Sequence, residues 1–287
     1  MNIDVEKTKT KIEELKKQGG LPKIAMFGGS VFLFPHPVKE LSDFLKSYDV
    51  HINYDAAHVA GLIAGGEFQD PLREGVDTMT MSTHKTLFGP QGGLVLAFEK
   101  NADAIKKATF PGLPSSHHIH HMAAKAVTFA EALEFGKDYA SQTIRNAKAL
   151  AVALNDSGFK VLGEKKGFTQ SHQAVVNVLD YGDGGKIEAD LEKANIIVNR
   201  QLIPGDIKAK RHYMHPGGIR LGSSEVTRLG MKESEMQQIA SFIKQIVIDG
   251  NDAKGVADQV TEFRKSFQKT QYCFDNKLGA YEYVKLR

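Results

Sequence analysis

The sequence predicts an α/β fold organised in two domains. Residues 23–27 and 50–54 are short apolar strand patterns, and residues 37–45 between them carry apolar side chains with a helical period. This strand–helix–strand order is typical of a parallel sheet. A long helical pattern over residues 117–154 follows, and after it short strands are mixed with helices. We therefore expect an α/β domain, a long connecting helix and a smaller α+β domain.

The predicted elements before the long helix begin close to the N-terminus. Asp4 is a suitable N-cap for a first helix, and the pair Gly19-Gly20 is suited to end it. The strand at residues 23–27 is expected to be buried. Two further strands of this domain are predicted at residues 76–81 and 94–98.

The predicted elements after the long helix belong to the smaller domain. The long helix itself is expected to kink near Gly136. The elements beyond it are strands at residues 159–162, 174–179, 196–199 and 219–221, and helices at residues 187–193, 233–248 and 252–267. The predicted division is therefore residues 1–136 for the first domain and residues 137–287 for the second.

Composition excludes several classes of protein. The chain of 287 residues carries 37 Lys and Arg against 34 Asp and Glu, a net charge of +3, with no basic run of the kind that binds nucleic acid. Cys273 is the only cysteine, so a disulfide framework and cysteine-based zinc sites are excluded. No stretch is apolar enough to span a membrane, and residues 1–11 lack the apolar core of a signal peptide. We expect a cytoplasmic protein without nucleic-acid or membrane partners.

The stretch Ser82-Thr83-His84-Lys85-Thr86 places a lysine among hydroxyls between two predicted strands. A lysine held in a short connection suits a covalent role, because lysine forms Schiff bases with carbonyl substrates and with pyridoxal phosphate. The neighbouring hydroxyls are of the type that binds phosphate. The alternative is an ordinary exposed lysine at a strand end, and this stretch alone does not decide between the two.

Polar side chains also follow the first two predicted strands. Ser30 comes after the first strand and Asp55 directly after the second. Ligands of open α/β sheets bind at the carboxyl ends of strands, so these residues and Lys85 are expected to converge. A buried carboxylate keeps a pyridine nitrogen protonated, which suits Asp55. The alternative for Asp55 is a turn residue that bonds to local backbone.

Two histidines lie beside these residues. His58 is three positions after Asp55 and is placed to contact a cofactor ring, although a half-buried loop histidine is the alternative. His84 directly precedes Lys85 and is suited to orient it or to transfer protons, because imidazole side chains in general can take up and release a proton near neutral pH. The alternative for His84 is packing beneath the lysine.

Ser115 and Ser116 precede the long helix, where backbone N–H groups and hydroxyls bind phosphate. The alternative is an N-cap, which requires the same residue type. Four histidines follow: His117, His118, His120 and His121. We expect no metal there, because adjacent histidines on a helix point in different directions and no carboxylate is spaced to complete a set.

Arg220 lies in the run Gly218-Ile219-Arg220-Leu221-Gly222, among glycine and apolar residues. An arginine in such surroundings suits bidentate binding of a substrate carboxylate. A structural ion pair between the domains is the alternative, and the run alone leaves both open.

Five blocks together resemble serine hydroxymethyltransferase, a pyridoxal-phosphate enzyme with the aspartate aminotransferase fold, also called fold type I. In order, the blocks are residues 55–66 (DAAHVAGLIAGG), residues 82–93 (STHKTLFGPQGG), Phe110-Pro111-Gly112, Val198-Asn199 with Pro204, and residues 218–222 (GIRLG). Phe88, Gln91 and His117-His118 resemble archaeal members more closely. The implied fold is a truncated large domain followed by a C-terminal α+β small domain.

The resemblance implies a role for each candidate residue. Lys85 would hold pyridoxal 5′-phosphate covalently, Asp55 would pair with its ring nitrogen, and Arg220 would bind the amino-acid carboxylate. Smaller roles in placing the cofactor are implied for Ser30 and His58 near its ring and O3′, and for Ser82 with His84 nearby. The family is built on dimers, in which the loop carrying Ser115 and Ser116 would reach the phosphate bound by the partner subunit.

The implied reaction interconverts serine and glycine and passes the one-carbon unit to tetrahydrofolate or an archaeal reduced pterin. Family members carry a large N-terminal part ahead of the strand at residues 23–27, and this part supplies groups that stack on the cofactor and bind the pterin. We therefore expect a C-terminal fragment with weak or no transferase activity alone. The alternatives are a β-hydroxy-amino-acid aldolase of the same fold and a non-catalytic domain that retains the fold.

Overall fold

The computed structural model describes residues 2–275 and 279–280 of the chain. It divides into two compact units, the first Asn2–Lys137 and the second from Asp138 onward. Helix α6 (Ile119–Asp156) is one continuous helix, which confirms the predicted long helix, and the kink near Gly136 stays a prediction. Gly136 passes close to Gly65, where a Cβ would lie 3.7 Å from the Gly65 Cα. Among the described residues, none of the helices combines the length and apolar character needed to cross a membrane.

The first unit contains a four-stranded sheet in the order β1–β2–β3–β4. Strands β1, β2 and β3 are parallel to one another, and β4 is antiparallel to β3. The strands are β1 (Ile24–Gly28), β2 (His51–Asp55), β3 (Thr78–Ser82) and β4 (Gly93–Ala97). The helices before α6 are α1 (Val5–Lys17), α2 (Val38–Lys46), α3 (Ala60–Ala64), α4 (Pro71–Glu74) and α5 (Ala102–Lys107). The predicted parallel strand–helix–strand unit is confirmed by β1, α2 and β2.

Local sequence explains the ends of these helices. The Asp4 carboxylate accepts a hydrogen bond of 3.0 Å from the Lys7 backbone N–H, which confirms Asp4 as the N-cap of α1. Helix α1 ends at Lys17, and Gly19 follows with a φ of +71°. Asp70 caps α4 in the same way and Gly75 ends it in a left-handed conformation, which glycine adopts without strain.

The two faces of this sheet differ in burial. Tyr54 is fully buried on one face, where its hydroxyl donates to Gln69 over 2.8 Å and its ring centroid lies 5.9 Å from that of Phe32. On the opposite face of the edge strand β1, Ile24 and Met26 are 56% and 65% exposed. The expectation that this strand is buried was therefore wrong, because only one of its two faces is covered by the described residues.

The second unit contains an antiparallel sheet in the order β5–β6–β8–β7. Its strands are β5 (Lys160–Val161), β6 (Gln173–Asn177), β7 (Asn199–Gln201) and β8 (Gly218–Gly222). Its helices are α7 (Gly184–Lys193), α8 (Ser224–Arg228), α9 (Glu233–Val247) and α10 (Ala253–Arg264). The core between sheet and helices contains Leu154, Ile187, Leu191, Ile219, Met236 and Ile243, each at most 2% exposed. This is the predicted smaller α+β arrangement.

The strand predicted at residues 196–199 is displaced in the structure. Strand β7 begins only at Asn199, while Ile196 and Val198 pack against the core from the connection before it. Apolar residues that pack from a loop give the same local pattern as those of a strand, which explains the shift.

Candidate active site

The carboxyl ends of β1, β2 and β3 meet at one edge of the first sheet. Gly28 is paired with Asp55, and Asp55 is paired with Thr80, so the strands end almost level. Ser82 is the last residue of β3. The structure thus brings together the strand ends that carry Ser30, Asp55 and the Lys85 segment, as the sequence predicted.

The turn after β1 depends on glycine. Gly28 has a φ of +96°, and a Cβ built on it would lie 2.2 Å from the Asp55 carbonyl oxygen. Gly29 also has a positive φ, at +139°. The close approach of the two strand ends therefore requires glycine at position 28, and Ser30 follows as an exposed residue.

His36 supports the same turn, and sequence reasoning missed it. The Gly28 N–H donates to His36 Nδ1 over 3.1 Å, and the His36 ring stacks on Phe32 at a centroid distance of 4.8 Å. Burial lowers the pKa of His36, and Nδ1 accepts a hydrogen bond only when it carries no proton. The signal in the sequence was weak, because a histidine between two prolines resembles an ordinary loop residue.

Asp55 is half-buried at the end of β2. Its Oδ1 accepts a 3.0 Å hydrogen bond from the Ala57 N–H. The local turn bond that was considered as an alternative is thus present. A carboxylate has two oxygens with several acceptor positions, so this bond leaves capacity for a ligand.

The connection between β3 and β4, which carries Lys85, is closed at its base by Thr83. The Thr83 side chain is fully buried, and its Oγ1 lies 2.6 Å from the Pro90 carbonyl oxygen and 3.0 Å from that of Gly92. The Thr83 backbone N–H donates to Gly92 O over 3.0 Å, and Gly89 N–H donates to Thr83 O over 2.5 Å. These bonds fix the two ends of the connection to each other.

A second threonine ties the same connection to the segment after β2. Thr86 Oγ1 donates to the His58 carbonyl oxygen over 3.0 Å and accepts from the Gly61 N–H over 3.0 Å. A Cβ on Gly61 would lie 2.1 Å from the Thr86 carbonyl oxygen, so the two segments touch through their backbones. The segments that carry Asp55 and Lys85 are therefore joined directly.

The hydroxyls around Lys85 thus have a different use from the one expected. The sequence suggested phosphate binding by hydroxyls next to the lysine, but those of Thr83 and Thr86 are engaged in holding the backbone. Only the spacing of hydroxyl residues around the lysine signalled these positions. Lys85 itself is half-buried, and Ser82 is half-buried beside Gly93 on β4.

His84 is exposed, which does not fit the alternative in which it packs beneath Lys85. Ser115 and Ser116 are also exposed. Helix α6 begins at Ile119, so neither serine stands directly before the first helical residue and the N-cap alternative is not supported. A cis peptide bond joins Phe110 to Pro111 in the segment before them.

Three of the four histidines that follow lie close together. The ring centroids of His118, His120 and His121 are 4.4 to 5.5 Å apart. Partial burial and the neighbouring His120, His118 and Lys125 lower the pKa of His121. In the part of the chain that the structure describes, no group of three metal-ligating side chains has the geometry to hold an ion.

Arg220 lies on β8 in the second unit, opposite Asn199 of β7. Its Nη2 donates to Asn199 Oδ1 over 3.0 Å, and burial lowers the pKa of the guanidinium. A guanidinium nevertheless stays positively charged at neutral pH. Arg220 is therefore a half-buried cationic group within the second unit.

Comparison with known proteins decides the family. Residues 1–243 match the family model for serine hydroxymethyltransferase. The chain belongs to the serine hydroxymethyltransferase family. It is 78% identical over 287 residues to serine hydroxymethyltransferase from Nitrosopumilus maritimus and 55% identical over 284 residues to that from Korarchaeum cryptofilum. All or nearly all of this chain is covered in each case, but only 65% and 64% of those proteins.

Among solved structures, the fold is similar to that of L-threonine transaldolase from Pseudomonas fluorescens in its internal aldimine state. The TM-score is 0.85 at 33% sequence identity, covering 96% of this chain and 61% of that one. The expected fold class, a truncated pyridoxal-phosphate-dependent fold type I with an α+β small domain, is confirmed. The resemblance to archaeal members of the family is confirmed as well. The domain boundary between residues 136 and 137 stays a prediction.

Proposed function

We propose that this chain is the lysine-bearing part of a pyridoxal-phosphate-dependent glycine/serine hydroxymethyltransferase. The reaction would convert serine and a reduced pterin, either tetrahydrofolate or an archaeal pterin, into glycine and the methylene-pterin. The observation that carries the proposal is the joined arrangement of Asp55 and Lys85 at one sheet edge, in a chain of this family. Because the chain spans about two thirds of its relatives' length, we expect full activity only together with the remaining third.

The residues at this edge fit pyridoxal 5′-phosphate. A half-buried primary amine at Lys85 suits the aldehyde, and the Asp55 carboxylate on the neighbouring strand suits the pyridine nitrogen. Bound there, the cofactor supplies an electron sink for breaking bonds at the amino-acid α-carbon. The hydrogen bonds of Thr86 hold the segments that carry Asp55 and Lys85 together before a cofactor binds. This donor set is therefore suitable for the family's cofactor.

The roles of this chain's residues follow from charge and position. Lys85 holds the cofactor through its Nζ, and Asp55 keeps the ring nitrogen protonated by favouring its charged form. His84, exposed next to Lys85, is available to hold or move a proton. Arg220 binds the substrate carboxylate.

The residues around Lys85 and Asp55 have the role of positioning the cofactor. We propose that Ser30 and His58 lie near its ring and that Ser82 helps to position it. Ser115 and Ser116 are proposed to bind phosphate in the partner subunit of a homodimer. A cytoplasmic location is part of the same proposal.

The test is reduction with borohydride in the presence of pyridoxal phosphate, followed by peptide mass mapping. We expect a stable cofactor mark on the peptide that contains Lys85. The Lys85→Arg variant should lose the mark, while the matched control Lys106→Arg, on exposed α5, should retain it. A mark spread evenly over surface lysines, or none at all, would favour the non-catalytic alternative.

A second candidate activity is a β-hydroxy-amino-acid aldolase, favoured by the likeness to an L-threonine transaldolase. The two activities differ in their need for a pterin. Cleavage of threonine-like substrates at the same rate with and without added pterin would favour the aldolase, and pterin-dependent cleavage of serine would favour the transferase.

A further inference from the structure

Asn199 on β7 is the direct cross-strand neighbour of Arg220 on β8. The antiparallel register pairs the two residues, and Arg220 Nη2 donates to Asn199 Oδ1 over 3.0 Å. Directly opposed residues of an antiparallel pair project their side chains on the same face, about 5 Å apart at Cβ. The bond between the amide and the guanidinium is therefore set by the pairing of the two strands.

The alternation of side chains along β8 separates Arg220 from the core of the second unit. Ile219 and Leu221, its neighbours in sequence, are buried in the core between the sheet and the helices. Successive residues of a strand point to opposite faces of the sheet. Arg220 and Asn199 thus lie on the face that is turned away from this core.

The group that Asn199 presents to Arg220 is neutral. Arginine has no acceptor, so the amide oxygen and not the amide nitrogen must face it. A carboxylate in the same place would form a charge-assisted, often bidentate pair with the guanidinium and would compete with an anionic ligand for it. An amide oxygen accepts one N–H and adds no negative charge. Asn199 can therefore orient the guanidinium without neutralising it.

The next residue of β7 shows the contrasting arrangement. Arg200 forms an ion pair with the Glu188 carboxylate, which accepts from its Nε. The Arg200 Nη1 also donates to the Met214 carbonyl oxygen over 3.5 Å. This arginine holds three segments of the second unit together through a carboxylate partner. Neighbouring positions of one strand thus supply a charged partner to a structural arginine and accept from Arg220 with a neutral amide.

We propose that Asn199 is a positioning residue for Arg220, which it orients for bidentate binding of the amino-acid carboxylate. This rests on the proposed function, in which Arg220 binds that carboxylate. A guanidinium that is already oriented loses less conformational freedom when the ligand arrives, so the affinity is higher. Asn199 therefore acts on the affinity for amino acids that carry a free carboxylate and not on the attachment of the cofactor to Lys85.

The test measures how well a carboxylate ligand protects Arg220 from phenylglyoxal, a reagent selective for arginine. The 287-residue chain is treated in the presence of pyridoxal phosphate, and peptide mass mapping gives the rate of modification at Arg220 as glycine is added. Glycinamide is the matched probe, because it has the same amine and lacks the carboxylate. We expect glycine to protect Arg220 and glycinamide to protect it much less.

Two variants separate orientation from charge. Asn199→Asp keeps the size of the side chain but adds a charge that pairs with the guanidinium, so the glycine concentration that gives half protection should rise at least about tenfold. Asn199→Ala removes the hydrogen bond without adding charge and should raise it about threefold. Neither variant should change the borohydride mark on Lys85, which a general loss of structure would reduce.

The matched control is Asn195→Asp. It makes the same chemical change at an exposed residue whose amide lies 3.5 Å from Thr261 Oγ1 on α10, in the layer of helices. Glycine should protect Arg220 in this variant as in the unchanged chain.

The outcomes distinguish this proposal from the one on which it rests. Equal protection by glycine in the unchanged chain and both Asn199 variants would overturn the role of Asn199 alone. Equal weakening by Asn195→Asp would overturn it as well. Absence of glycine protection in the unchanged chain would overturn the roles of both Arg220 and Asn199. The borohydride mark on Lys85 reports separately whether the chain takes up the cofactor.

Discussion

The two threonines beside Lys85 show how single hydroxyls set the geometry of the candidate site. Thr86 is 2% exposed and bonds to both His58 O and Gly61 N, so its hydroxyl connects two segments that lie apart in sequence. The hydroxyls of Thr83 and Thr86 thus fix the backbone on both sides of Lys85.

Replacing Thr86 tests this connection. Thr86→Val keeps the shape but removes the partner of the half-buried His58 carbonyl oxygen and of the buried Gly61 N–H, at a cost of about 1–3 kcal/mol in the free energy of unfolding. Thr86→Ser retains the hydroxyl and should lose less. Urea denaturation measures the stability, and borohydride marking of Lys85 measures the site. Equal loss in both variants would mean that the methyl group matters and the hydroxyl does not.

Gly28 gives a second prediction at this scale. Gly28→Ala would place a methyl group 2.2 Å from the Asp55 carbonyl oxygen at a φ of +96°, so we expect a loss of at least about 2 kcal/mol in stability. The neighbouring Gly29 also has a positive φ, but a methyl group there would meet no atom within 4 Å, so Gly29→Ala should cost less, about 1 kcal/mol. Thermal unfolding of the two variants compares them, and a larger loss for Gly29→Ala would contradict the close approach of the strands.

His36 predicts a dependence of stability on pH. Burial lowers the pKa of His36 in the folded chain, whereas the unfolded chain titrates near about 6.5. Its contribution is thus fully present above that pH and is lost as the pH falls through the lower folded pKa, because the unfolded state binds the proton first.

Urea denaturation on either side of about pH 6.5 measures this effect. The unchanged chain should lose stability on the acid side. His36→Asn, which has no proton to gain and can still accept from Gly28, should show a smaller loss over the same range. An identical pH dependence in both proteins would assign the effect to other groups.

At the scale of elements, periodicity and capping predicted the regular structure well. The limits of α1, α2 and α9 and the parallel pairing of β1 and β2 follow from local sequence signals. The burial of β1 and the first residue of β7 could not be predicted, because both depend on which other residues pack against the strand. The strand ends that carry Asp55 and Lys85 were predictable from the sequence. The hydrogen bonds of His36 and Thr86 were not, because they join residues that are 8 and 28 positions apart in the sequence.

The start of α7 offers a prediction for one element. Asp183 accepts from the Lys186 N–H over 2.9 Å and lies 3.2 Å from His215 Nδ1. Asp183→Ala removes the cap and should cost about 0.5–2 kcal/mol, while Asp183→Asn retains a good capping residue. Chemical denaturation separates the two, and an Asn variant as unstable as the Ala variant would show that the charge on Asp183 matters more than the cap.

At the scale of the whole molecule, the comparisons show the family of the chain. Because the chain spans only about two thirds of its relatives' length, we expect its activity to be lower than theirs. We predict weak or no transferase activity from the 287-residue chain alone, measured as pterin-dependent serine cleavage beside the full-length Nitrosopumilus maritimus protein, of which the chain spans 65%. Turnover equal to that of the longer protein would contradict this prediction. It would also show that the groups expected from the remaining third are dispensable.

The bonds of Thr83 and Thr86 have a further consequence for the entropy of ligand binding. Since these bonds form within the polypeptide, the conformational freedom of the lysine-bearing connection is lost during folding and not when a ligand arrives. Most of the binding free energy of a cofactor then remains available as affinity. The connection between Thr83 and Gly93 should accordingly resist proteolysis to the same degree before and after pyridoxal phosphate is added.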